Sequence, residues 1–244
     1  GFRDVVFIQR MNRKHHYDLQ WDKPQPFVER RHCVEVRERV DYRGQELLPL
    51  DEEDARQAVR RLKDMGVEAV AVSFLFSYLN PAHELRMREI IGEELPTAHV
   101  SLSHEVYPRW REYDRTSSTL ADAFLKPRIS SYLHNLAAGL ERAGQRGASG
   151  TSVSGTSVSG MNVPGTGVSG TGAFLVMKSN GGMEDHRAAV RRPIDLIMSG
   201  PVGGVLSAIY FGRLTGRPNL IAMDMGGTSL DVSLIANGTA NRTT

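Results

Sequence analysis

One stretch constrains this chain more than any other: Ala222-Met223-Asp224-Met225-Gly226-Gly227-Thr228-Ser229-Leu230-Asp231-Val232-Ser233-Leu234-Ile235. Leu220 to Met223 and Val232 to Ile235 are short apolar runs that qualify as strands, with a tight glycine turn between them. Two adjacent glycines let the backbone approach a ligand closely and free several N–H groups to point one way. Thr228 and Ser229 add hydroxyl donors, so the turn suits a phosphate. Asp224 and Asp231 would repel that phosphate unless a hard cation lay between them. Magnesium fits this role, because it keeps waters and uses one or two carboxylates plus substrate phosphate. The same residues also fit a ligand-free Gly-Gly hairpin with an Asp at each shoulder.

Just upstream, Ser199-Gly200-Pro201-Val202-Gly203-Gly204 opens a helix that runs to about Gly212. Ser199 is a candidate N-cap and Pro201 is accepted in a first turn. Gly203 and Gly204 each lower helix propensity by about 1 kcal/mol relative to Ala, so close packing against another backbone is expected there. A small-residue helix followed by strand–DxGGTxxD–strand resembles the actin, sugar kinase and heat-shock chaperone superfamily, an α/β fold of the ribonuclease H-like kind. That resemblance implies that the hairpin grips ATP phosphates in the second lobe, and that the helix crosses between the lobes.

Further motifs narrow the resemblance. They are Gly1-Phe2-Arg3-Asp4, Val67 to Val72, Ser77-Tyr78-Leu79-Asn80-Pro81-Ala82-His83-Glu84, Leu102-Ser103-His104-Glu105-Val106, Arg111-Glu112-Tyr113-Asp114-Arg115-Thr116-Ser117 and Ser179-Asn180-Gly181-Gly182. In this order the chain is similar to the hydantoinase A/5-oxoprolinase family, which includes the acetone carboxylase beta subunit. The likeness covers nearly everything except residues 144–172. It implies an ATP-dependent cyclic-amide hydrolase in which ATP phosphorylates the ring amide oxygen, so that water can open the ring. Asp224 and Asp231 would then organise Mg²⁺. Gly226, Gly227, Thr228 and Ser229 would hold phosphate oxygens, the electrostatic clamp of phosphoryl transfer. Gly200, Gly203 and Gly204 would permit lobe closure, and Asn180 would stand at the mouth of the nucleotide site or simply in a turn. A hydantoinase B-type partner subunit or domain is also implied. Leu230 stands where the family usually has Thr, and Val202 where it usually has Ala.

This superfamily holds ATP with two phosphate hairpins and a later adenosine segment, and this chain carries one DxGGTxxD. It therefore reads as an internal fragment with half a nucleotide site, inactive alone. On the same resemblance its parts are the end of an N-terminal domain (1–117), connecting helix (118–143), flexible linker (144–172) and the start of the ATPase domain (173–244). The alternatives are a ketone carboxylase subunit, another kinase of the superfamily, or a non-catalytic interaction module.

Composition adds exclusions. At 40% apolar and 24% charged residues the chain is an ordinary globular protein. Its net charge of +2 is scattered, which gives nucleic acid and membranes no footing. The single Cys33 excludes an internal disulfide and fits a reducing compartment, so a cytoplasmic location is the expectation. His15-His16 lacks a third ligand at metal spacing and reads as solvent-exposed.

Taken in order, Val34 to Val40 and Glu46 to Leu50 read as short strands around a turn at Asp41 to Gly44. Asp51 caps a helix ending at Gly66, Val67 to Phe76 is a buried strand, Asn80-Pro81 starts a second helix with Leu85, Ile90 and Ile91 on its apolar side, and Ala98 to Leu102 is the next strand. This alternation is an α/β reading. His104, Glu105 and Arg115 follow the last strand end, where α/β sites often lie. They could handle protons and bind a carbonyl or carboxylate, or merely form a salt-bridged connection. Thr116 or Ser117 would cap a helix through Leu140 with Leu120, Phe124, Tyr132, Leu133 and Leu136 inward, kinked or split in two at Pro127. Gly150 to Ser169 is a Gly/Ser/Thr pentad repeat that buries little, and Ala173 to Lys178 is a strand followed by a polar connection over Met183 to Arg192.

Overall fold

A computed structural model describes residues 2–10, 17–148, 174–227 and 229–240 of the 244. His15-His16, the pentad repeat and Thr228 lie outside these residues. The chain forms two compact units, Gly1–Ile129 and Ser130–Thr244.

The first unit opens with a short helix, α1 (Val5–Ile8). Strands β1 (Arg39–Val40) and β2 (Glu46–Leu48) form an antiparallel hairpin around Gly44, whose φ of 79° suits glycine. The paired part of β1 is shorter than the alternation from Val34 predicts. Helix α2 (Glu52–Asp64) is capped as expected, its Asp54 amide donating to Asp51 Oδ1 at 3.0 Å. Strand β3 (Ala69–Val72) leads through a turn into α3 (Ala82–Glu94) and then β4 (His99–Leu102), which pairs parallel to β3. Helix, strand, helix and parallel strand are thus the α/β arrangement read from the sequence. Ala55, Val59 and Leu62 of α2, Val70 and Val72 of β3, and Met87, Ile90 and Ile91 of α3 form its buried core. Leu85 is exposed, and Glu84 takes a place on the inward stripe of α3.

A single-turn helix, α4 (Ser103–Val106), follows β4 directly, and α5 (Glu112–Ala148) comes next. Two expectations are corrected here. Helix α5 begins at Glu112 rather than at Thr116 or Ser117, because the Arg115 amide already closes a turn on Arg111 O at 3.1 Å and Glu112 and Asp114 put negative charge on that turn. Pro127 also does not split the helix in two, since neighbouring residues continue the helical run on both sides. The buried face is Arg115, Thr119, Asp122 and Ala123, then Ser130 and Leu133. Phe124 and Tyr132, expected inward, are exposed.

In the second unit β5 (Leu175–Met177) pairs antiparallel with β6 (Met183–Asp185), and α6 (His186–Ala189) follows. The segment read as a polar connection is therefore a strand and a short helix, with Asp185 accepting the Arg187 amide as a cap. Helix α7 (Ser199–Leu214) has Met198, not Ser199, at its cap position. Strands β7 (Leu220–Met225), β8 (Leu230–Ala236) and β9 (Thr239–Ala240) make an antiparallel meander. Gly212 lets α7 meet the sheet: a Cβ there would stand 2.7 Å from Leu220 Cδ1. Among the described residues no helix is long and apolar enough to cross a membrane.

Candidate functional site

Two groups of residues carry the candidate chemistry, one in each unit. The first gathers at the C-terminal end of β4, built from β4–α4, the turn after β3, and α3. Glu84 is 0% exposed. Its Oε1 accepts the Phe74 amide at 2.9 Å and the Ser103 hydroxyl at 2.6 Å. Its Oε2 accepts the His104 amide at 3.0 Å and lies 2.7 Å from His104 Nδ1. Burial pushes the Glu84 carboxyl up, but the hydrogen bonds from His104, Ser103 and Phe74 outweigh it and hold the group below its ordinary value.

Arg115 is also 0% exposed. Its Nε donates to Ser103 Oγ at 3.2 Å, Nη1 to Arg109 O and Nη2 to Phe74 O, both at 2.9 Å. The guanidinium carbon lies 5.3 Å from the Tyr78 ring centroid. Burial pushes the group down, opposed chiefly by the negative charge of Glu84. Ser103 thus joins a buried anion to a buried cation, and the Ser77 hydroxyl is 3.0 Å from it.

The structure places the three sequence-predicted residues differently. His104, its side chain 15% exposed, sits on the Glu84 carboxylate. Arg115 is buried and donates to Ser103 Oγ, Arg109 O and Phe74 O, which ties the loop before α5 to the end of β3. Glu105 is exposed and paired with Arg88. Sequence reading passed over Glu84 as a site residue, although the signal was present: an acid three and seven residues before Met87 and Ile91 falls on the apolar stripe of α3.

The second group is the β7–β8 hairpin. Asp224 and Asp231 are direct cross-strand partners, two residues from a turn closed by the Gly226 amide on Ser229 O at 2.9 Å. Neither carboxylate has a cationic partner among the described residues. Like charges placed opposite each other destabilise a ladder. Two carboxylates facing each other beside a glycine turn fit a hydrated divalent cation bearing phosphate. Among the described residues no cluster of three or more His, Cys, Asp or Glu side chains could hold a metal by itself.

Ser179 to Gly182 lies against the first half of α7, where a Cβ on Gly181 would be 3.1 Å from Leu206 Cδ1. Asn180 forms a turn, its Oδ1 accepting the Gly182 amide at 2.9 Å. Gly200 and Gly204 have no atom within 4 Å of a built Cβ, and Gly203 has only Met177 Cε at 4.0 Å. The close packing expected from these glycines is absent among the described residues, so packing within the unit does not explain them. Cys33 is half-buried beside an apolar cavity of about 460 Å³ along β3, and burial pushes its thiol up, against reactivity.

The pattern of the hydantoinase/oxoprolinase N-terminal region matches residues 1–95, and that of hydantoinase/oxoprolinase matches residues 115–244. The chain belongs to the hydantoinase/oxoprolinase family. It is 34% identical, over all of its length, to the acetophenone carboxylase gamma subunit of Aromatoleum aromaticum. The ATP-dependent caprolactamase from Pseudomonas jessenii superposes with a TM-score of 0.73 at 29% identity, covering 96% of this chain and 30% of that one. Nucleotide-free acetone carboxylase superposes at 0.71 and 31% identity, covering 89% and 27%. The chain spans less than a third of the curated relatives it matches, 31% of the acetophenone carboxylase subunit and 12% of the 5-oxoprolinase of Saccharomyces cerevisiae.

Proposed function

We propose that this chain is part of an enzyme that uses ATP to activate the carbonyl oxygen of a cyclic amide for ring opening, with β7–β8 as a phosphate clamp in one lobe of a ribonuclease H-like fold. The observation that carries this reading is the cross-strand pairing of Asp224 with Asp231 at a Gly-Gly turn, with neither acid neutralised by a described side chain. Mg²⁺ held there would neutralise phosphate charge. The Gly227 amide would hold a phosphate oxygen, with Thr228 and Ser229 adding hydroxyls, while the Gly226 amide is spent on Ser229 O and closes the turn. Gly200, Gly203 and Gly204 would leave α7 open to close approach by nucleotide or a second lobe, and Asn180 would shape the adjoining turn. His104 would move a proton at the strand end, and a hydantoinase B-type partner would complete the enzyme.

Membership of a family named for hydantoin and oxoproline hydrolysis and likeness to an ATP-dependent caprolactamase support the cyclic-amide substrate. Likeness to acetone and acetophenone carboxylases supports a second reading, a ketone as the activated carbonyl compound. The test is ADP release by the full-length protein with its partner subunit, supplied with Mg·ATP and either 5-oxoproline, caprolactam, or acetone plus bicarbonate. Release stimulated by a lactam, and lost in Asp224→Asn, is the expected result. Stimulation by acetone alone selects the carboxylase reading, and ADP release unchanged in Asp224→Asn removes the clamp.

A further inference from the structure

Glu84 is the least explained group in the molecule: a fully buried carboxylate on a helix stripe that elsewhere carries Met87, Ile90 and Ile91. Burying an ionised carboxylate is costly unless every lone pair is met. Here four contacts meet it. Two are backbone amides, from Phe74 and His104, which can only donate. The third is the Ser103 hydroxyl, whose own oxygen is occupied as an acceptor by Arg115 Nε at 3.2 Å, so its hydrogen turns to Glu84. The fourth is His104 Nδ1 at 2.7 Å. A carboxylate so surrounded, one hydroxyl away from a buried guanidinium, is an acceptor on every side and has no proton to give.

The fourth contact therefore fixes the ring. Nδ1 must carry the hydrogen, so a neutral His104 has its lone pair on Nε2. No described residue takes a hydrogen bond from Nε2, and the ring belongs to α4 at the carboxyl end of β4. The charged and titratable groups around the pair are Arg115, Glu112 and Tyr78 on one side, Glu38 beyond Glu84, and the Glu105–Arg88 pair on α4 and α3. We infer that Glu84 is the positioning residue of a Glu84–His104 dyad, holding His104 as the Nδ1–H tautomer so that Nε2 accepts the proton from attacking water. This rests on the reading of His104 as a proton-handling residue. Its partner in the step is water attacking the activated ring carbon: the water O–H bond breaks and its proton goes to Nε2, the new C–O bond forms, and the C=N π pair of the O-phosphorylated amide moves onto the ring nitrogen.

The experiment uses the full-length protein labelled with ¹⁵N-histidine, the His104 ring signals being assigned by their loss in His104→Gln. The expected wild-type spectrum above the ring's titration shows a protonated, pyrrole-like Nδ1 and an unprotonated, pyridine-like Nε2. In Glu84→Gln the carboxylate charge that holds the Nδ1 hydrogen is lost, and the Nδ1–H population is expected to fall. Turnover of 5-oxoproline or caprolactam should fall roughly 10²–10⁴-fold, with loss of the pH limb that reports the base. A wild-type His104 protonated on Nε2 overturns the proposal even if Glu84→Gln does not fold. Unchanged turnover in His104→Gln, with the Nδ1–H tautomer present in the wild type, overturns instead the reading on which the proposal rests.

Discussion

Asp224 and Asp231 face each other directly across the β7–β8 ladder, two like charges set opposite one another beside a glycine turn. Without a cation this pair costs about 0.2–1 kcal/mol. Asp231→Asn should therefore raise the thermal midpoint slightly in chelator. Wild-type protein should gain stability as Mg·ATP is added, by mass action on the native state, and the variant should not. A wild-type midpoint indifferent to Mg·ATP would sink the clamp.

Glycines of α7 divide into two kinds. Gly212→Ala would place a Cβ 2.8 Å from the Arg217 carbonyl oxygen as well as against Leu220, so a loss of about 1–3 kcal/mol is expected. Gly204→Ala meets nothing within 4 Å and should stabilise the helix by about 1 kcal/mol. If Gly204 serves close approach by nucleotide, the same variant weakens ATP binding while raising stability. Denaturant melts paired with nucleotide titration read both effects, and a variant that stabilises without weakening binding removes the ligand role.

Acid sensitivity should trace to Glu84. Its folded value lies below the ordinary 4.5, so its contribution is present above that pH and is lost as pH falls through the lower folded value. Urea midpoints followed downward from pH 4.5 should fall more steeply in wild type than in Glu84→Gln. Arg115→Met, which leaves that carboxylate buried without its nearest cation, should cost about 3–5 kcal/mol at neutral pH. A cost below 1 kcal/mol would show that the network is not coupled through Ser103.

His83 carries the opposite dependence. Nδ1 is 2.8 Å from Glu38 Oε2 and Nε2 is 2.8 Å from Glu46 Oε2, so a doubly protonated ring ties α3 to the β1–β2 hairpin. Burial pushes His83 down, but the two carboxylates outweigh it and raise it above 6.5, while burial also raises Glu38. The stability from His83 is thus complete below 6.5 and is lost as pH rises through the higher folded value. Thermal midpoints should decline over that window in wild type and stay flat in His83→Gln. An equal decline in both would place the titration elsewhere.

The sequence alone determined the elements whose signals are local. Asp51 as cap, Gly66 as stop and the glycine turn of β7–β8 depend on residues within one turn of each other, and each stands where propensity and capping put it, whereas the strand read over Val67 to Phe76 is shorter, Ala69–Val72. Family membership was legible for a related reason, since several separate motifs occur in one order.

Tertiary structure decided what depends on distance in sequence. Glu84, Ser103, His104 and Arg115 come from α3, α4 and α5, and no spacing rule joins them. Only their packing showed Arg115 bonded to Ser103 and Glu84 as the group beneath His104. The face of α5 was decided in the same way. Phe124 and Tyr132 are the more apolar residues, yet Arg115 and Asp122 are buried because the partners that satisfy their polar atoms lie on that side. A buried polar group is stable only where distant hydrogen-bond partners converge, and hydrophobic periodicity carries no record of that convergence.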